Sequence, residues 1–285
     1  MWMLILVAML TAVNFALTKL YQKDGNNSNR ELMMFNAITG LFTGVIFLAV
    51  NGFKVEFTPY SILMGFAFAF FVVTYRMIGF KIMEGETISL YTVFLMAGGM
   101  MLPYIWGLIF LGEESSVLRT IGLLMIVAAM YITNTDGGKM KLKTTLMCIA
   151  VFFLNGFTSI VSKEHQISSQ KTVSEMDFVV LYNLIMAISC FIASGMYKNE
   201  NGKSVKKYSP KSIFIMLLAA ITTGIGFFMQ LKGAKMIDAS VLYPVMTGGT
   251  VIFTAIAGWI LFKEKITLKL AIGLALCFAG TCMFL

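Results

Sequence analysis

Acidic residues are scarce in this sequence, and none lies well inside any of its apolar runs; Glu84, Glu86 and Asp238 come nearest, at turn edges. A carrier driven through a deeply buried carboxylate is therefore poorly supported. Charged residues make up only 13% of the 285, against the ~25% usual in soluble domains. So few charges cannot clothe a globule of this size in water. The single histidine, His165, stands just past an apolar run, which excludes a histidine-rich metal centre. The four cysteines, Cys148, Cys190, Cys277 and Cys282, lie within apolar runs without metal-ligand spacing. They read as small hydrophobes, and no disulfide is expected. The first stretch, MWMLILVAMLTAVNFALTKL, lacks a basic leader and a small-residue cleavage site, so it reads as a first span. Loops are short, the longest being 164–175 and 198–210, which leaves no room for a soluble domain.

What is present is apolar: 58% hydrophobic residues, in ten runs. The first five are 2–21, 31–51, 60–82, 87–111 and 117–134, and the second five are 143–163, 176–197, 211–236, 240–262 and 267–285. Each approaches the ~20 residues that cross a ~30 Å hydrocarbon core as a helix. The expected fold is an all-α polytopic membrane protein with ten transmembrane helices.

The two halves repeat one another. MAGGMMLPYIWGLIFLGEESSVLRTIGLLMIVAAM, from Met96 to Met130, is answered by Ser240 to Gly280. Gly98-Gly99 matches Gly248-Gly249, and Glu114 matches Glu264. Asn36 after Phe35 matches Asn183 after Tyr182, Thr18-Lys19 matches Ser162-Lys163, and Gly79-Phe80-Lys81 matches Gly233-Ala234-Lys235. This divides the chain into repeats at 1–137 and 138–285. Five spans per repeat put the halves in opposite orientations, the inverted plan of secondary transporters, with a substrate site near the midplane. Placing the N-terminus outside leaves fifteen Lys and Arg in inner loops and six (Lys54, Arg119, Lys163, Lys171, Lys232 and Lys235) in outer ones. The positive-inside rule then sets both termini outside. The net charge of +8 is explained by these loops rather than by nucleic acid. The basic 198–211 stretch reads as an anchor on anionic lipid.

With LYPVMTGG and GWILFKEKITLKLAIGLALCFAGT (Leu242 to Thr281) as the end of its second repeat, the chain resembles the EamA-type transporters of the drug/metabolite transporter superfamily. The resemblance covers nearly the whole chain. The first copy departs from it, with Phe94 in the place of Pro244 and Glu113-Glu114 in the place of Lys263-Glu264. Asn36 and Asn183 stand where many members carry an arginine. The resemblance implies a secondary transporter of small organic metabolites, such as amino acids or amines, working by alternating access in the bacterial inner membrane. It also implies a central cavity faced by spans one, three, four, six, eight and nine. No cofactor is expected, and the expected partners are a small-molecule substrate and the bilayer, with either a monomer or a homodimer compatible.

The candidate substrate contacts are Asn14, Asn36, Tyr75, Tyr91, Asn155, Asn183, Gln230, Tyr243 and Thr247. Buried amides need partners, from other helices or from a cavity. Asn36 and Asn183 are expected on corresponding cavity walls. Tyr75, Tyr91, Tyr182 and Tyr243 can box a cation, while Trp106 and Trp259 suit an interfacial belt. Arg76, with Gln230 as its counterpart, either snorkels to the interface or pairs with Glu84 or Glu86 as a gate. Gly98, Gly99, Gly248 and Gly249 permit close helix approach or act as a pivot, and Pro244 frees a carbonyl near Ser240. Glu114 and Glu264 are expected to cap the helices that restart after them. Two rivals remain. A channel needs a polar ring or filter, and an intramembrane enzyme needs an acid/base or metal set within the spans.

Overall fold

The computed structural model describes residues 2–23, 28–83, 88–134, 142–197, 208–263 and 267–284. Among them are ten α-helices and no strand: α1 (Trp2–Lys23), α2 (Asn29–Val50), α3 (Pro59–Met83), α4 (Ile88–Phe110), α5 (Val117–Asn134), α6 (Leu142–Ile167), α7 (Glu175–Met196), α8 (Pro210–Met236), α9 (Ala239–Phe262) and α10 (Leu268–Cys282). Seven of the described helices are long and apolar enough to cross a membrane; the described apolar parts of α4, α5 and α10 are shorter.

Helix starts follow local chemistry. The first amides of a helix have no partner within it, and a hydroxyl just before the helix supplies one, worth about 1 kcal/mol. Ser28, Thr58, Ser116, Ser174, Ser209 and Thr267 each accept from the amide three residues on, at 3.1–3.2 Å. Pro59 and Pro210 open α3 and α8, where a missing N–H costs nothing. The largest departure from the expected spans is α6, which runs past Lys163 to Ile167.

In a bilayer, helices gain little from hiding apolar surface, so they associate where small residues let backbones meet. A Cβ on Gly98 of α4 would collide with the Phe152 backbone of α6. A Cβ on Gly122 of α5 would lie 2.6 Å from the Gly280 carbonyl of α10, and one on Gly280 would lie 2.7 Å from the Gly122 carbonyl. These contacts fix the order of packing. Helix α2 packs on α7 and α5 on α10, while α1 packs on α8 and α9, and α6 on α3 and α4. Large side chains such as Phe66, Phe70, Ile109, Phe153, Ile188 and Phe191 point outward and are exposed, as suits contact with lipid tails.

Candidate functional site

Six helices and one tyrosine of α7 line a cavity of about 310 Å³. Helix α1 contributes Thr11 and Asn14, α3 contributes Tyr75 and Arg76, and α6 contributes Asn155, Thr158 and Ser159. Thr222, Thr223 and Gln230 come from α8, and Tyr243, Thr247 and Thr250 from α9. Helix α4 lies against the cavity through Leu95, Met96 and Gly99. An aromatic wall completes it: Phe68, Tyr182 and Phe227 pack with ring centroids 4.5–5.3 Å apart.

Of the residues singled out from the sequence, Asn14, Tyr75, Arg76, Gly99, Asn155, Gln230, Tyr243 and Thr247 reach this cavity. Asn36 and Asn183 do not. Each amide instead donates to the carbonyl four residues back, Asn36 to Leu32 and Asn183 to Val179, both at 2.8 Å. Helices α2 and α7 pack too tightly on each other to leave a cavity there: a Cβ on Gly40 would lie 3.1 Å from the Asn183 carbonyl. Tyr91 is in α4, with its side chain outside the described residues, as are Glu84, Glu86, Glu264 and the basic stretch 198–207. The Arg76–Glu84 or Arg76–Glu86 gate therefore lies partly outside the described residues. Gly98, Gly248 and Gly249 are packing positions, against Phe152, Thr281 and Ala8. Pro244 sits inside α9, and its neighbours Val241, Leu242 and Val245 belong to the main hydrophobic core.

Two of the amides on the cavity wall, Asn14 and Asn155, donate to neighbouring helices. Asn14 donates to the Thr223 hydroxyl at 2.7 Å and the Ala219 carbonyl at 3.2 Å, both on α8. Asn155 donates to the Leu95 carbonyl of α4 at 2.7 Å. The Tyr243 hydroxyl donates to the Ser159 carbonyl at 2.6 Å, tying α9 to α6. Among the described residues that line the cavity, Arg76 is the charged one, and none is a carboxylate. The described lining thus combines amides, hydroxyls and one arginine with one aromatic face.

One helical turn from the cavity-lining Ser159 and Tyr243 lies a cluster that the sequence reading missed. Both carboxylate oxygens of Glu113 accept from the first amides of α9, Ala239 at 2.7 Å and Ser240 at 2.8 Å. Lys163 stands 3.7 Å from Glu113 and donates to the Ile237 carbonyl at 2.7 Å. Both side chains are buried. A carboxylate at a helix start is stabilised by the exposed amides and the helix dipole. The capping glutamate is thus Glu113 rather than Glu114, and it caps α9 rather than α5. Glu114 is exposed, and Ser116 serves α5 instead. Lys163, expected in an outer loop, lies inside α6 and is buried. The signal was available: Asn155, Ser159 and Lys163 are spaced by four and so share one helix face.

The same end holds further ties. His165, expected beyond a span, is buried in α6, with its Nε2 2.8 Å from the Ser61 hydroxyl and its ring stacked 3.8 Å from Phe178. Trp106 donates to Glu164 at 2.6 Å, so it serves α4–α6 packing rather than an interfacial belt alone. Trp259 is exposed, as a belt residue would be.

The model of the EamA-like transporter family matches residues 142–285. No curated protein matches the chain. A solved structure described as a crystal structure of protein is similar to it with a TM-score of 0.79. That likeness has 15% sequence identity and covers 98% of this chain and 95% of the other, so it speaks for the fold alone.

Proposed function

Because this chain belongs to the EamA-like transporter family, within the drug/metabolite transporter superfamily, we propose that it carries small organic metabolites, such as amino acids, amines or related solutes, across the cytoplasmic membrane by alternating access. It is an integral membrane protein, and in this reading all ten helices span the bilayer as two inverted repeats, 1–137 and 138–285. Reciprocal packing supports the repeats: α1 meets α8 and α9, while α6 meets α3 and α4, each five helices removed. In the register that sets Thr18-Lys19 against Ser162-Lys163, Thr11 and Asn14 fall on Asn155 and Thr158, and all four line the cavity. The basic-residue bias supports both termini outside.

The observation that carries the reading is the cavity itself, lined by amides, hydroxyls and an arginine within an apolar bundle, and in this reading the Glu113–Lys163 cluster at the start of α9 seals one end of it. Its volume of about 310 Å³ is at the low end of the ~300–1,000 Å³ usual for ligand sites, which suits a metabolite of amino-acid size. In alternating access, the Glu113–Lys163 layer must part while the opposite end closes. Counterflow in proteoliposomes is the test. A saturable exchange of labelled against unlabelled solute identifies a carrier. Flux without saturation or exchange would identify a channel-like facilitator and overturn the carrier reading.

A further inference from the structure

The surroundings of His165, the single histidine of the chain, fix where its ring proton sits. The ring is buried at the end of α6, just past the apolar run 143–163, with its Nε2 2.8 Å from the Ser61 hydroxyl. Ser61 lies in the first turn of α3. Its oxygen accepts from the Thr58 hydroxyl at 2.8 Å and from the Val173 amide, in the α6–α7 connection, at 3.0 Å. A hydroxyl oxygen has two lone pairs and one proton. Thr58 and Val173 take both lone pairs, so Ser61 donates its proton to Nε2. A neutral imidazole accepts at one nitrogen and donates from the other. Nδ1 therefore carries the ring proton, and the Gln166 amide group, 2.9 Å away, receives it once its oxygen is turned to the ring. Thr58, Ser61, His165 and Val173 are all buried.

We propose that this cluster is an acid-released clasp: neutral His165 holds the start of α3 to the end of α6 and to the α6–α7 connection, and protonation of its ring lets them go. A proton added at Nε2 would point at an oxygen with no lone pair left, and the Ser61 proton would lose its acceptor. The Phe178 face, stacked 3.8 Å away, attracts a cation but does not relieve that collision. The titratable groups on the elements around the ring are Tyr60 of α3, stacked 6.3 Å away, Lys171 of the connection, and Glu175 and Asp177 of α7. On α6 itself, Lys163 and Glu164 are engaged by Glu113 and Trp106. Glu175 is the charge that acts on the ring, and it is paired with Lys235 of α8 at 3.2 Å. Between about pH 5 and 7.5, ordinary carboxylates, lysines and tyrosines keep their charge and a histidine does not. The clasped ring has no place for a second proton and the released ring does. The clasp is therefore intact above the ~6.5 of a free histidine. As pH falls below that value the balance moves toward release, by up to about tenfold per pH unit. The clasp stands with or without the carrier reading. Where that reading holds, acid loosens the end that Glu113 and Lys163 seal.

With one histidine in the chain, NMR of the full protein carrying isotope-labelled histidine, in detergent, reads the tautomer and titration of this ring directly. The Nδ1–H form is expected at neutral pH, with a midpoint below the ~6.5 of a free histidine. Hydrogen exchange at Val173, corrected for its intrinsic pH dependence, reads the clasp. Its protection should be constant above that value and fall below it by up to about tenfold per pH unit. Ser61→Ala removes the donor at Nε2 and the acceptor of Val173, so the midpoint rises and Val173 loses protection at every pH. His165→Gln offers an amide oxygen that takes no proton in this range, and leaves Val173 protection independent of pH. If that variant fails to fold, Ser61→Ala and the parent titration still decide. The Nε2–H form at neutral pH, a midpoint in the parent no lower than in Ser61→Ala, or pH-dependent protection that survives in His165→Gln would overturn the proposal.

Discussion

Helices α6 and α7 are neighbours in the chain, and each carries a span asparagine, yet the two residues do opposite things. Asn155 of α6 reaches out to the Leu95 carbonyl of α4 and lines the cavity. Asn183 of α7 turns back to the Val179 carbonyl of its own helix and is buried. The contrast extends to the charges near one end of each helix. Lys163 of α6 is sealed against Glu113 at 3.7 Å, whereas Glu175 of α7 meets Lys235 at 3.2 Å with the lysine largely exposed. Helix α6 thus meets α4 and α9 through buried polar contacts beside the cavity, whereas the Asn183 amide of α7 is satisfied within its own helix.

That contrast can be broken most severely at Glu113. Glu113→Ala leaves Lys163 buried without its partner and the start of α9 uncapped, and is expected to destabilise the fold by about 3–5 kcal/mol. Thermal unfolding in detergent measures it; a change within error would mean that the pair is hydrated and not the seal of that end. Next comes Asn155→Leu, which removes the α6–α4 bond to the Leu95 carbonyl and a cavity amide. A loss of about 1–2 kcal/mol is expected, with counterflow of the best solute falling at least tenfold. Full transport by this variant would remove α6 from the transport path.

The outer helices should respond less. Asn36→Leu and Asn183→Leu each lose a bond within one helix, and are expected to cost under about 1 kcal/mol and to leave counterflow within twofold of the parent. A transport loss matching that of Asn155→Leu would return these residues to the cavity wall. Smallest of all is Lys235→Ala, since an exposed pair contributes about 0–1 kcal/mol and is screened by salt. Its unfolding temperature should match the parent at high ionic strength. A large salt-independent drop would make the α7 pair equivalent to that of α6.

The difference between α6 and α7 was only half legible in the sequence. The apolar runs gave nearly every described helix end to within two residues, because span length is a local matter. Asn155 was legible as a buried amide, and its spacing with Ser159 and Lys163 marked the inner face of α6. Asn36 and Asn183, by contrast, pointed to the cavity only through their matching positions. Repeat symmetry places corresponding residues in corresponding environments, but it does not say whether that environment is a cavity or a tight helix pair. Glu113 was hidden for a different reason: its partners Lys163 and Ala239 lie far away in the second half of the chain.

The sequence by itself determined that this is a helical membrane protein and where most of its described helices begin and end. Those properties follow from the length of apolar runs. Only the tertiary structure decided which amides meet the cavity, which glutamate caps which helix, and that Arg76 faces inward. An asparagine can bond to its own helix or to a neighbour with similar geometry, and a span arginine can turn inward or toward an interface. The choice falls to how closely the backbones approach, as at Gly98 against Phe152 and Gly40 against Asn183.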